Sequence, residues 1–215
     1  MIINRFLYPV LRAGLIPGLL LLCLSLSAQA REHRILVLGD SISAAYGMSL
    51  EQGWVALLEE KLETHAATVE VVNASISGET TAGGLRRLPE LLAMHEPNIV
   101  VIELGGNDGL RGYPLERLRS NLQQLVTLSK EAGATVILVP MEIPPNYGSR
   151  YTAGFRNSFT DIAASSEIVL APFLMEGVAT DPELVQADGI HPRVEAQPLL
   201  LQNILPTIKA VMSDQ

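Results

Sequence analysis

The sequence predicts a single α/β domain in which a parallel sheet of five strands lies between two layers of helices, a three-layer, flavodoxin-like arrangement. Three observations predict it. Short aliphatic runs recur five times, stretches with apolar residues at helical spacing separate them, and Gly, Asn or Pro closes nearly every run. Strands that alternate with helices run parallel, because each crossover returns the chain to the same edge of the sheet. At 215 residues and 48% hydrophobic content, with no repeat period and no low-complexity tract, the chain has room for one well-packed domain.

The first strand is Ile35-Leu36-Val37-Leu38, and Gly39-Asp40-Ser41 then turns the chain sharply toward an expected helix. From Gly53 to Leu62, Trp54, Leu57, Leu58 and Leu62 form one helical face, opposed by Glu59, Glu60, Lys61 and Glu63. Val69 to Asn73 is the second strand, running into the small-residue loop Ala74-Ser75-Ile76-Ser77-Gly78 and a helix from Thr80 to His95. Asn98 to Leu104 reads as the most buried strand and ends in the loop Gly105-Gly106-Asn107-Asp108-Gly109. A long helix from Pro114 to Ala132 stops at Gly133, a good residue for the position just past a helix. Thr135 to Val139 is strand four, closed by Pro140 and a loop with Pro144 and Pro145. A helix from Tyr151 to Ala164, a short strand at Ile168 to Leu170 and a last helix from Glu195 to Met212, with Pro206 expected to kink it, complete the chain.

The first 30 residues read as a secretion signal. Arg5 and Arg12 precede an apolar run from Leu15 to Leu26, and Ala28-Gln29-Ala30 supplies the small residues of a cleavage site. Pro17 and Gly18 inside that short run argue against an uncleaved membrane anchor. Cys23, the only cysteine, lies within the signal behind Leu22, so neither a lipid-modified cysteine nor a disulfide is expected. The mature domain is then 31–215, periplasmic or secreted, with no stable membrane anchor, and it is expected as a monomer. The formal charge of −8 becomes −10 without the signal, which removes two arginines and no acid. Such an acidic chain without a basic run is a poor partner for nucleic acid or anionic lipid.

In open parallel sheets, ligands sit beyond the carboxyl ends of the strands, and the unusual residues gather there. Ser41 follows strand one, Gly78 strand two, Asn107 strand three and the Pro-rich loop strand four. Ser41 is a candidate nucleophile or simply a helix N-cap. A serine needs a base, and histidine suits that role near neutral pH. Of four histidines, His33 lies near the mature terminus, while His65 and His95 end helices at the opposite edge. His191 remains, in Asp188-Gly189-Ile190-His191-Pro192, where Asp188 can reach back to fix the imidazole; an ordinary Asp-Gly turn has the same composition. Gly78 can offer a backbone N–H and Asn107 a side-chain amide to a developing oxyanion, or they can supply a positive-φ turn and a loop cap. Asp40 and Asp108 read as braces for their loops, and Asn73 as part of the hydrogen-bond network beneath the site. The acids and histidines lack metal-ligand spacing, and neither Gly-x-Gly-x-x-Gly nor a P-loop is present, so no metal or cofactor is expected; the lack of a Gly-x-Ser-x-Gly elbow sets the α/β-hydrolases aside.

Gly39-Asp40-Ser41, Gly78, Gly105-Gly106-Asn107-Asp108 and Asp188-x-x-His191 together resemble the sequence blocks of the SGNH (GDSL) hydrolase superfamily. Longer stretches, Val72 to Thr80, Glu103 to Gly112, Pro145 to Gly148 and Asp188 to Pro192, are similar to the periplasmic thioesterase I/lysophospholipase/arylesterase group of Gram-negative bacteria. Ile42 stands where the superfamily often has leucine, a conservative difference. The resemblance implies an SGNH-hydrolase fold with Ser41 as nucleophile, His191 as base and Asp188 as its orienter. It also implies an oxyanion hole built from the Ser41 and Gly78 backbone amides and the Asn107 side chain. The substrate would be a small-molecule acyl ester or thioester, cleaved through an acyl-enzyme.

Ile76, Leu110, Tyr113, Met141, Ile143, Pro144, Pro145 and Tyr147 supply apolar surface around the motifs, enough for an acyl groove if about half of them line it. A secretion signal separates the enzyme from cytosolic acyl-CoA, which favours lysophospholipids and other envelope esters. Two other readings use the same residues: an O-acetylesterase acting on carbohydrate or peptidoglycan with the same triad, and a non-catalytic binding module with a flavodoxin-like fold.

Overall fold

The computed structural model describes residues 32–63 and 68–214. The signal peptide expected over 1–30, Cys23 within it, Arg31 and His65 lie outside the described residues. Five strands form one parallel sheet: β1 (Glu32–Gly39), β2 (Thr68–Asn73), β3 (Ile99–Glu103), β4 (Thr135–Leu138) and β5 (Val169–Leu170). Their spatial order is β2-β1-β3-β4-β5. The helices are α1 (Trp54–Leu62), α2 (Thr81–His95), α3 (Gly106–Leu110), α4 (Leu115–Glu131), α5 (Ser149–Ser166) and α6 (Gln197–Ser213).

Period-two alternation sorts each strand's side chains onto two faces, and each face has its own core. Ile35 and Val37 of β1, with Ile99, Val101 and Ile137, pack against Trp54 and Leu58 of α1 and Leu200, Ile204 and Ile208 of α6. Leu36 and Leu38, with Val100, Ile102 and Leu138, pack against Leu88 of α2, Leu122 and Leu125 of α4 and Phe155 and Phe159 of α5. The result is the expected three-layer α/β/α stack. The order also fixes where loops diverge. From β1 the chain steps outward to β2 and then back past β1 to β3, so the β1 and β3 connections part at their carboxyl ends, the switch point of a doubly wound sheet.

Several expectations shift in detail. The turn after β1 does not enter a helix: residues 41–47 form successive turns, Ala45 takes a positive φ of 53° that ends helical geometry, and α1 starts only at Trp54. A helix dipole at Ser41 is therefore not part of the structure. The expected loop at Gly105 to Gly109 is instead largely the short helix α3, entered through Gly105 at φ 122°. The last helix starts at Gln197, after a 3-10 turn over Val194–Ala196, and continues through Pro206 to Ser213. Among the described residues, no helix is long and apolar enough to cross a membrane.

Candidate active site

The β1 and β3 strands end side by side, with Gly39 paired to Glu103. Both neighbouring loops are tied to this point. Ile76 donates its N–H to the Gly39 carbonyl at 3.1 Å, which holds the loop bearing Gly78 beside the turn bearing Ser41. Asn73, at the end of β2, donates to the Ser43 carbonyl at 2.8 Å and accepts from the Ser75 N–H, so it does belong to the network under the site.

Ser41, 9% exposed, accompanies His191 from a loop 150 residues away: its Oγ lies 2.9 Å from His191 Nε2. On the other side of the ring, Nδ1 lies 2.6 Å from Asp188 Oδ2. Asp188 Oδ1 accepts the N–H groups of Ile190 at 2.9 Å and His191 at 3.0 Å, closing the Asp-Gly turn on itself. Burial works to raise the Asp188 carboxyl, but the hydrogen bond from His191 and the two backbone donors outweigh it and hold the group at about 2. An ionised Asp188 keeps the proton of the imidazole on Nδ1, which leaves the Nε2 lone pair for Ser41.

The donors expected around an oxyanion divide into two kinds. The backbone N–H groups of Ser41 and Gly78 have no hydrogen-bond partner among the described residues. Gly78 sits at φ 80°, which an L side chain rarely adopts, and its carbonyl accepts from Arg111 at 3.1 Å. Asn107 is reached through α3, and its Nδ2 donates to Asp40 Oδ2 at 3.1 Å, which leaves the second amide proton available. Asp108 accepts both the N–H and the hydroxyl of Thr81, at 2.8 and 2.7 Å, and thereby pins the start of α2. Its role as a brace agrees with the sequence reading.

The expected groove residues are not equivalent. Ile76 and Tyr147 are exposed at 47% and 37%, Pro144 is exposed, and Leu110 and Tyr113 are half-buried. Ile143 and Met141 are buried in the core layer with Phe155, because Gly109 has no side chain to keep Ile143 out. Tyr147 and Tyr151 donate their hydroxyls to the carbonyls of Leu110 and Tyr113, both at 2.7 Å, and so fasten the segment after α3. Two shallow hollows of about 200 and 220 Å³ lie elsewhere, and neither is lined by Ser41 or His191.

Four residues escaped the sequence reading. Tyr46 stacks on His191 with ring centroids 4.2 Å apart. Gln186 donates from Nε2 to the carbonyls of Tyr46 and Pro192, joining the serine turn to the histidine loop. Glu103, 1% exposed, accepts the Asp40 N–H at 3.2 Å and the Ser43 hydroxyl at 2.6 Å. Burial, then the neighbouring charge of Asp40, push Glu103 well above the usual carboxylate range. A glutamate inside an otherwise apolar strand was the available signal for Glu103 and its partner Ser43. Nothing in the residue pattern marks Tyr46 or Gln186, which matter only through contacts across 145 and 140 residues of chain.

Known proteins resemble the chain in sequence and in fold. Residues 37–197 match the model of the GDSL-like lipase/acylhydrolase family. The chain is 50% identical over 202 residues to "Esterase TesA" of Pseudomonas aeruginosa, covering 94% of this chain and 100% of that protein. It is 43% identical over 185 residues to "Thioesterase 1/protease 1/lysophospholipase L1" of Escherichia coli K12, covering 86% and 87% of the two. A crystal structure of the psychrotrophic esterase EstA from Pseudoalteromonas sp., inhibited by monoethylphosphonate, superposes with a TM-score of 0.81 at 45% identity, covering 84% of this chain and 99% of that one.

Proposed function

The chain belongs to the GDSL-like lipase/acylhydrolase family and is a hydrolase of acyl esters and thioesters, and on that premise we propose that it works through an acyl-enzyme on Ser41. The observation that carries this reading is the continuous hydrogen-bonded series from Ser41 Oγ through the His191 ring to Asp188 Oδ2. His191 Nε2 takes the hydroxyl proton as Ser41 Oγ bonds to the acyl carbon. The carbonyl oxygen becomes an oxyanion, held by the Ser41 and Gly78 N–H groups and the Asn107 amide. Collapse breaks the bond to the alcohol or thiol, which leaves with the proton from His191. Water, activated by the same imidazole, then bonds to the acyl carbon and releases the carboxylic acid and Ser41.

Exposed Ile76 and Tyr147, with half-buried Leu110 and Tyr113, support an acyl chain lying along the surface beside Ser41. The substrate class is accordingly a medium- or long-chain acyl ester such as a lysophospholipid. The expected signal at 1–30 supports a periplasmic or secreted enzyme without an anchor. Hydrolysis of p-nitrophenyl esters from acetyl to palmitoyl, with Ser41→Ala alongside, tests the reading. A preference for long chains that vanishes in the variant supports it. Activity confined to acetyl esters keeps the triad but moves the substrate to acetylated glycans, and equal activity in Ser41→Ala overturns the mechanism.

A further inference from the structure

Asp40 is buried to 3% exposure directly beside the nucleophile, yet the acyl-transfer steps assign it no work. Its two oxygens are each committed. Oδ1 accepts the Ile42 N–H at 3.0 Å, and Oδ2 accepts one proton of the Asn107 amide at 3.1 Å. Its backbone N–H is in turn held by Glu103, which also takes the Ser43 hydroxyl. Two glycines make room for this arrangement. A Cβ on Gly39 would stand 2.6 Å from Glu103 Oε2, and one on Gly106 would meet Asp40 Oδ2 at 3.3 Å and Met141 Sδ at 2.9 Å. The carboxyl groups at the ends of β1 and β3 are therefore built into the turn, with side chains absent where they need room.

A side-chain amide has two faces that differ only in chemistry: one end donates, the other accepts. Asn107 can serve an oxyanion only when its nitrogen, not its oxygen, is turned toward the substrate. A carboxylate can accept and cannot donate, so Asp40 stabilises the orientation with Nδ2 toward it and disfavours the reverse. One amide proton is then fixed on Asp40, and the other is fixed in direction by the planar amide. We propose that Asp40 is the positioning residue for the oxyanion donor, selecting the amide orientation of Asn107 that lets it stabilise the transition state. This rests on Asn107 being an oxyanion donor and says what makes it one. Glu103 acts one step further back, holding the Asp40 turn to the end of the central strand.

Asp40→Asn tests this with almost no change of shape. The Asn at 40 would keep its oxygen on the Ile42 N–H and present an NH2 to Asn107, which reverses the preferred orientation of the Asn107 amide. Removing one oxyanion donor costs about 10²- to 10³-fold in kcat, and misorienting it is expected to cost about 10- to 100-fold with KM within about twofold of the parent. The deciding measurement is a double-mutant cycle with Asn107→Ala. In that background the Asp40→Asn change is expected to lower kcat by less than about threefold, since the group it acts through is gone. An equal loss in both backgrounds would overturn the proposal while leaving Asn107 as a donor. Wild-type kcat in Asn107→Ala would remove the oxyanion role itself, a separate failure.

A second readout does not depend on how Asp40→Asn folds. In the 15N-labelled parent enzyme, the Asn107 NH2 signals, assigned by their loss in Asn107→Ala, are expected to include one proton, the one bound to the carboxylate, shifted downfield of its free-amide position. Both protons at their free-amide positions would contradict the orientation.

Discussion

Two aspartates flank the bonded pair Ser41 and His191, and their surroundings drive them in opposite directions. Asp40, closed in at 3% exposure between the ends of β1 and β3, is raised to about 6 by burial, against the hydrogen bonds from Ile42 and Asn107. Asp188 has a side chain 39% exposed and is held at about 2, because three donors from Ile190 and His191 outweigh its desolvation. The two environments divide the site into unlike halves. The half built on strand ends is buried, and its carboxyls accept hydrogen bonds from Asp40, Ile42, Ser43 and Asn107. The half built on the 185–192 loop is exposed and local, and its carboxylate stays charged beside the His191 ring.

The largest expected effect breaks the site where the two halves meet. Ser41→Ala should lower kcat by roughly 10⁶-fold while circular dichroism shows an unchanged fold; a loss under about tenfold would detach the nucleophile from both. Asp188→Asn comes next, because an amide cannot accept the Nδ1 proton as a carboxylate does. A fall of about 10³- to 10⁴-fold in kcat is expected, and near-parent turnover would mean that solvent orients His191 well enough at this exposed position.

The two aspartates also predict opposite stability profiles. Asp40 has a folded pKa above its ordinary 3.8, so its ionisation disfavours the folded state at neutral pH by about 3 kcal/mol, a cost that disappears as pH falls from about 7 to 4. Asp188 has a folded pKa below 3.8, so it contributes stability above about pH 4 that is lost as pH falls toward about 2. Urea unfolding of the parent and Asp40→Asn across pH 4 to 8 reads the ionisation of Asp40 together with its effect on Glu103. The parent should gain relative to the variant on acidification, and a constant difference would show that Asp40 is not destabilised by its burial.

The smallest effect concerns the exposed half. Tyr46 covers the His191 ring at 4.2 Å, an aromatic contact of about 0.5–1.5 kcal/mol. Tyr46→Leu should lower kcat about two- to tenfold, with Tyr46→Phe near the parent. If both variants match the parent, the ring does nothing for the base.

What the sequence made legible follows the same division. The strands, the helices between them and the sheet edge that carries the motifs are written in local apolar periodicity, so β1 to β5 lie close to where the runs of Ile, Val and Leu put them. Ser41, Gly78, Asn107, Asp188 and His191 stand out because each interrupts that periodicity with an unusual residue at the end of a strand or in a tight turn. The helix expected after Ser41 failed because Ala45 takes a positive φ, which nothing in an alanine announces. Gln186 and Tyr46 carry no local signal either, because their meaning comes from the histidine loop folding over the serine turn. Glu103 was legible in principle, since an acid in the run Ile99 to Leu104 must be buried and therefore bonded.

The most direct test of the account is covalent capture of the nucleophile. A fluorophosphonate ester, which leaves a phosphonyl group on an activated serine with loss of fluoride, is added to the enzyme, and the modified peptide is identified by mass spectrometry. One label per chain is expected, on Ser41, abolished in Ser41→Ala and strongly slowed in the His191→Ala variant. Loss of esterase activity with the label on any other residue, or continued hydrolysis with Ser41 fully labelled, would contradict it.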